Sequence, residues 1–276
     1  MPVVEAAFFD LDKTVIDRAS LVAFGPTLRR GGLVNRRTLV RAVVSQLLFL
    51  YFGAGERRLA RVREALLRLS RGWDRAKVRE LVREALLETV EPIIYTEALA
   101  AMEEHRRAGH RVYLVSASPE EIVLPLAELL GTDGAVCSQG EVDADGRFTG
   151  SLAFYAEGSN KADAIRDLAR RTGIALSRST AYSDSISDLP MLEAVGHPVA
   201  VNPDRALAKV ARARGWEVAR FTRPTRLHRR VARRAPAVAV VVAVTATAVL
   251  MRRHGERAAA RTGPRRRPAA GCSAAR

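Results

Sequence analysis

The sequence predicts an α/β protein whose mostly parallel sheet is interrupted early by an all-helical insertion. Three observations predict it. From Pro92 onward, short apolar runs rich in β-formers alternate with segments of helical period, the pattern of strand–helix–strand units. Carboxylates and hydroxyls stand where several of those runs end, and open α/β sheets place their ligands beyond the carboxyl ends of the strands. Between the first strand and Pro92 lie about 75 residues with no strand signal, far more than a crossover needs. The expected architecture is a Rossmann-like parallel sheet carrying an all-helical cap.

Residues 3–9 form the first strand, an apolar run interrupted only by Glu5, and Asp10-Leu11-Asp12-Lys13-Thr14 follows at its end. Side chains two apart on extended backbone share a side. Asp10 and Asp12 are thus expected to face one small volume, with Leu11 turned away. Helices are predicted over 21–28, 36–52 and 56–69, the last from Leu59, Val62, Leu66 and Leu69 in steps of three and four. A fourth covers 75–88 with Asp74 as N-cap. After Pro92 come a helix over 94–108 stopped by Gly109, a buried strand over 112–115 ending in Ser116-Ala117-Ser118-Pro119, and a helix over 120–130. A short strand over 136–138 precedes a hairpin, 141–143 with 148–154, turned by Asp145-Gly146. Ser159 is the expected N-cap of a helix to Arg171, with Lys161 in its first turn. Strands over 180–182, 199–201 and 217–219 complete the sheet, and Ser183-Asp184 ends the first of these.

The net charge of +15 is unevenly spread. From Arg220 to the end there are 15 arginines and one acid, Glu256, which leaves 30 basic and 29 acidic residues in 1–219. Arguments about anionic partners therefore belong to the tail. Residues 235–251 carry no charge and lie between Arg233-Arg234 and Arg252-Arg253. Their 17 residues sit at the lower limit for a spanning helix. The segment is expected to be membrane-associated or transmembrane, or else buried on the body. Residues 223–234 read as a basic linker and 252–276 as an Arg-rich disordered tail, able to meet an anionic membrane surface; a nucleic-acid partner is not expected. Two cysteines, Cys137 and Cys272, exclude a disulfide framework and a four-cysteine zinc site. With no signal-peptide pattern at the start, a cytoplasmic protein is expected, tethered to the membrane if the tail inserts.

Set side by side, the strand ends offer Asp10 and Asp12, then Ser116, then Asp184 with Asp188 four later, while Lys161 lies at a helix start. Each alone fits a bland role, such as a turn residue, a surface lysine or a carboxylate at a helix N-terminus. Together, three carboxylates, a hydroxyl and an ammonium can hold a hard divalent cation on oxygen and neutralise a phosphoryl group.

In this order and placement the residues resemble the four motifs of the haloacid dehalogenase superfamily, across residues 8 to about 205. The motifs are Asp10-Leu11-Asp12-Lys13-Thr14, Ser116, Lys161, and the run from Ser183 to Leu192. The insertion resembles the cap of the phosphoserine-phosphatase-like branch. The resemblance implies a catalytic core over 1–17 and 93–222 with a cap over 18–92. It implies an Mg²⁺-dependent phosphomonoester hydrolase acting on a small phosphorylated metabolite through an aspartyl-phosphate. Asp10 would be nucleophile and metal ligand. Asp12 would be general acid/base and offer its backbone carbonyl to the metal. Thr14, Ser116, Ala117 and Lys161 would hold phosphoryl oxygens; Asp184 would ligate the metal and Asp188 support it or Lys161.

The chain departs from that branch at five positions. Lys13 replaces a small serine and is read as a surface residue. Ala19 stands where a glutamate would meet the substrate amine, which weakens the dedicated phosphoserine phosphatase as an alternative. Ala117-Ser118 replaces Gly-Gly, and Ser183 replaces the glycine before Asp184; none of these changes is expected to touch the hydrolytic core. A catalytically silent binding module for membrane or nucleic acid is the alternative of another class, and intact Asp10, Asp12, Lys161 and Asp184 argue against it.

Overall fold

The first strand, β1 (Ala6–Asp10), is buried along its whole length and divides its side chains between two cores. Ala7, Phe9 and then Leu11 enter one core, while Ala6 and Phe8 enter the other. Leu11 is therefore turned away from the side that Asp10 continues, as the two-residue period requires. The computed structural model describes residues 3–17, 19–33, 64–90 and 93–223. The predicted helix over 36–52, most of that over 56–69, and the tail from 224 onward, with its segments 235–251 and 252–276, lie outside the described residues.

In chain order β1 is followed by α1 (Ser20–Arg30), α2 (Arg75–Val90), α3 (Thr96–Arg107), β2 (Arg111–Pro119) and α4 (Glu120–Leu129). Then come β3 (Gly134–Val142), β4 (Phe148–Phe154), α5 (Ser159–Thr172), β5 (Thr180–Ser183), α6 (Leu189–Glu193), β6 (His197–Val201), α7 (Arg205–Arg214) and β7 (Glu217–Ala219). The seven strands lie in the order β4-β3-β2-β1-β5-β6-β7, parallel except for the β3–β4 hairpin at one edge. This is the Rossmann-like arrangement expected, with a hydrophobic core on each face. Phe9 stacks on Tyr182 across β1 and β5 at 4.2 Å between ring centres, and Phe8 on Tyr113 at 5.7 Å.

Two local expectations are corrected. β2 does not stop at Val115 but runs to Pro119, with a register shift between Ser116 and Pro119 where it meets β3. Ser159 does not cap α5; the cap is Gly158, at φ 57° and ψ −125°, a backbone conformation that only glycine adopts without strain. Asp74 does cap α2, accepting from the Lys77 N–H at 3.1 Å. Among the described residues no helix is long and apolar enough to cross a membrane.

The described helices of the insertion join the body through apolar and ionic contacts. Phe24, Val82, Ala85 and Leu86 share a core with Phe9 and Leu114. Arg75 of α2 pairs with both Glu120 and Glu121 at the start of α4, the second at 3.0 Å, and Arg79 reaches Glu120 at 3.6 Å. Burial pushes the Glu121 carboxyl up, against the pull of Arg75.

Arg75→Met would leave two buried carboxylates short of a partner. Breaking a buried pair costs about 3–5 kcal/mol, and the partial exposure of Arg75 places this case near the lower end. Acids raised by burial destabilise the fold only once ionised. The deficit against wild type in urea titrations should therefore widen as pH rises from about 4 to about 7.

Candidate functional site

The carboxyl ends of the three central strands, β2, β1 and β5, bring the sequence-predicted residues together. Asp10 is the last residue of β1 and pairs in register with Val115, so Ser116 stands beside it; Asp184 directly follows β5. Lys161 enters from the first turn of α5, placed there by the turn at Gly158. Asp10, Thr14, Ser116, Lys161, Asp184 and Asp188 are all buried.

Lys161 binds the site together. Its Nζ donates to Asp10 Oδ1 at 2.7 Å and to Asp188 Oδ2 at 2.8 Å. The Thr14 hydroxyl donates to the other Asp10 oxygen, Oδ2, at 3.2 Å. Burial pushes Asp10 up to about 8; Lys161 opposes this, and Asp188 and Asp184 add to it. Burial alone would lower Lys161, but Asp10 and Asp188 outweigh it and keep the ammonium protonated. Burial likewise raises Asp184 to about 7; the Lys13 ammonium opposes that rise, and Asp188 and Asp204 add to it. Lys13, read from sequence as a surface residue, thus acts electrostatically on a site carboxylate. It holds φ 65°, unusual for a residue with a side chain.

The donor set fits a hard divalent cation. Asp10, Asp184 and Asp188 are three buried oxygen donors beside one buried ammonium, the ligand type a hard cation takes. Among the described residues, no three His, Cys, Asp or Glu side chains form a metal cluster by themselves. A cleft of about 570 Å³ between Asp74, Arg83 and Gly146 shares no residue with this cluster. The functional reading therefore rests on converging side chains rather than on concavity.

Four supporting residues have roles that sequence reasoning missed. Ser183 Oγ donates to Asp188 Oδ2 at 2.7 Å and accepts from the Ser185 N–H at 3.2 Å. Ser118 Oγ donates to Asp12 Oδ2 at 2.9 Å, and its N–H donates to Ser116 Oγ at 3.1 Å. The expectation that changes at these two glycine positions leave the hydrolytic core untouched is corrected: both hydroxyls bond its carboxylates. Ser138 Oγ donates to the Ala117 carbonyl at 2.7 Å, pinning the irregular end of β2 that carries Ala117. Asp204 caps α7 through the Leu207 N–H at 2.8 Å and accepts from Ile186 N–H at 2.9 Å, tying the Asp184–Asp188 loop to α7. The departures at 118 and 183 were visible as hydroxyls replacing glycine, and Asn202-Pro203-Asp204 before a helical run was a capping signal.

Comparison with known proteins follows the same lines. A 226-residue stretch is 50% identical to the inhibition of morphological differentiation protein of Streptomyces azureus, covering 82% of each chain. A probable phosphatase of Mycobacterium tuberculosis is 46% identical over 244 residues, 88% of this chain and 84% of that one. A phosphoserine phosphatase of the same organism is 36% identical over 237 residues, 85% and 74% of the two chains. Among solved structures, a protein of unknown function from Bordetella pertussis superposes with a TM-score of 0.68 at 26% identity, covering 79% of this chain and 98% of that one. The sequence model of one family matches residues 7–193, and by that match the chain belongs to the haloacid dehalogenase-like hydrolases.

Proposed function

We propose that this chain is an Mg²⁺-dependent phosphomonoester hydrolase acting on a small phosphorylated metabolite, with Asp10 as nucleophile. The observation that carries the reading is the buried Lys161 ammonium held between Asp10 and Asp188, with Thr14 on the second Asp10 oxygen. Two contacts fix the Asp10 carboxylate, and the ammonium that fixes it can also offset the charge of a phosphoryl group. The similarity to a probable phosphatase supports the same reading.

In the first half-reaction an Asp10 oxygen forms a bond to phosphorus while the ester oxygen leaves, taking a proton from Asp12. In the second, a water oxygen attacks phosphorus, its proton returns to Asp12, and Asp10 is released. Thr14, Ser116, the Ala117 backbone and Lys161 hold the non-bridging oxygens. Mg²⁺, held by Asp10, Asp184 and the Asp12 carbonyl, would neutralise charge as one anion approaches another. Asp188 keeps Lys161 in place. The insertion, 18–92, serves as the cap that selects the substrate. The uncharged run 235–251 and its arginines act on location, through an anionic membrane surface, rather than on catalysis.

Asp10→Asn should lower kcat by about a thousandfold or more, as loss of a nucleophile does, while circular dichroism stays unchanged. Near-wild-type turnover would remove Asp10 from the mechanism.

Metal dependence has a pH signature. Asp184 rises from 3.8 to about 7 in the metal-free fold. An acid raised in this way stabilises the fold fully below its unfolded value, and that contribution is lost as pH climbs through the folded one. The metal-free Tm should accordingly fall between about pH 4 and pH 7, and added Mg²⁺ should raise it more at about pH 8 than at about pH 5.5. Chelation should abolish activity; full activity in excess chelator would rule out the metal.

A dedicated phosphoserine phosphatase is a second reading, favoured by the 36% identical relative of that name. Ala19, extended at the start of α1, supplies no carboxylate for the substrate amine. Phosphoserine should therefore show a kcat/KM no better than several other small monoesters. A preference of about a hundredfold, roughly 2.7 kcal/mol, would restore the second reading.

A further inference from the structure

We propose that Ser118 is a positioning residue for Asp12, one that the glycine of the phosphoserine-phosphatase-like branch cannot supply. The inference rests on the phosphatase reading above and on Asp12 as its acid/base. Ser118 is buried, and its Oγ donates to Asp12 Oδ2 at 2.9 Å across 106 residues of sequence. Three constraints aim that hydroxyl. Pro119 disfavours helical backbone at the residue before it. The Ser118 N–H is held by Ser116 Oγ at 3.1 Å. The carbonyl of Ala117, which shares a peptide with that N–H, is held by Ser138 Oγ at 2.7 Å.

A carboxyl group is planar, and its terminal torsion is broad and roughly two-fold when nothing holds it. A bond to Oδ2 from a hydroxyl carried on a held backbone restrains that torsion, and so aims Oδ1. In the first half-reaction the bond from an Asp10 oxygen to phosphorus forms and the bond from phosphorus to the ester oxygen breaks. The proton that the departing oxygen needs comes from Asp12, and its direction is set by that torsion. Geometry of this kind matters where the leaving oxygen is a strong base, and little where it leaves unprotonated.

The test compares kcat/KM of the full-length Mg²⁺-loaded protein on two probes, p-nitrophenyl phosphate and glycerol 2-phosphate. This constant covers only steps up to departure of the alcohol, so hydrolysis of the phosphorylated enzyme does not enter. Ser118→Ala should lower kcat/KM for the alkyl ester by about tenfold, a part of the full acid contribution, and for the aryl ester by less than about twofold. Ser118→Gly should behave alike, and Ser118→Thr should restore the alkyl activity. An equal fall on both probes means a merely structural role and overturns the inference, as does no fall on either. If Ser118→Ala does not fold, Ser118→Gly and Ser118→Thr decide the matter by the same ratio. Asp10→Asn keeps the two claims apart. If it retains activity, or wild type cleaves neither probe, the phosphatase reading falls and this inference with it. If it is dead and the Ser118 ratio is flat, only the role of Ser118 falls.

Discussion

One buried ammonium organises the catalytic end of this molecule. Lys161 is almost wholly enclosed, and removing its charge from water is costly unless opposite charges meet it. Asp10 and Asp188 do so at 2.7 and 2.8 Å. Those partners come from the end of β1 and from the loop after β5, while Lys161 itself starts α5. The interaction therefore requires three elements, distant in sequence, to arrive together. The parallel β2-β1-β5 register brings strand ends side by side, and Gly158, at a positive φ, turns the chain into α5. Neither feature is chemical, yet both are preconditions for the ion pairs.

The charge that matters to the site is local. A net of +15 describes a chain whose arginines crowd beyond residue 219, and says nothing of the carboxyl ends of the strands. There the balance is negative: Asp10, Asp184 and Asp188 face Lys161, with Lys13 near enough to act on Asp184. Burial amplifies each of these charges because the interior screens poorly. Burial is the largest cause of the raised Asp10 and Asp184, and the neighbouring carboxylates add to it while the two ammonium groups oppose it. The same logic governs the start of α4, where Arg75 and Arg79 together meet two buried glutamates, but there the charges nearly cancel and join helix to helix.

Much of this was legible in the sequence because much of it is periodic. The two-residue repeat of β1 places Asp10 opposite Leu11, and the structure puts Leu11 in the core on the far face. Strand ends follow from where apolar runs stop, so Ser116 and Asp184 could be placed before any coordinates. A serine before a helical run is the usual cap signal, so sequence points to Ser159, whereas the backbone conformation of Gly158 decides the boundary. β2 was drawn too short because Ser116, Ala117 and Ser118 are weak strand formers, and pairing with β3 overrides that preference. Lys13 and the serines at 118 and 183 read from sequence only as departures from a pattern, because a period tells which side a side chain takes but not which distant group it meets. Their partners, Asp184, Asp12 and Asp188, are set by tertiary placement.

Those two serines show how the carboxyl ends of these strands accept side chains where the phosphoserine-phosphatase-like branch carries glycine. Glycine lets a ligand approach the backbone closely because nothing projects from it. A serine at such a position is tolerable only if its hydroxyl is directed elsewhere, and a buried hydroxyl needs a partner. Both requirements are met at once here. Ser183 Oγ turns to Asp188 and Ser118 Oγ to Asp12, each within 2.9 Å. A hydroxyl also contributes direction without charge. A second lysine in either place would deepen the electrostatic hold on the carboxylates but lower their basicity, and Asp12 in the proposed mechanism must both give and take a proton. A neutral donor restrains the torsion of the carboxyl and disturbs that balance less, which is the physical reason for serine, rather than a cation, at these two positions.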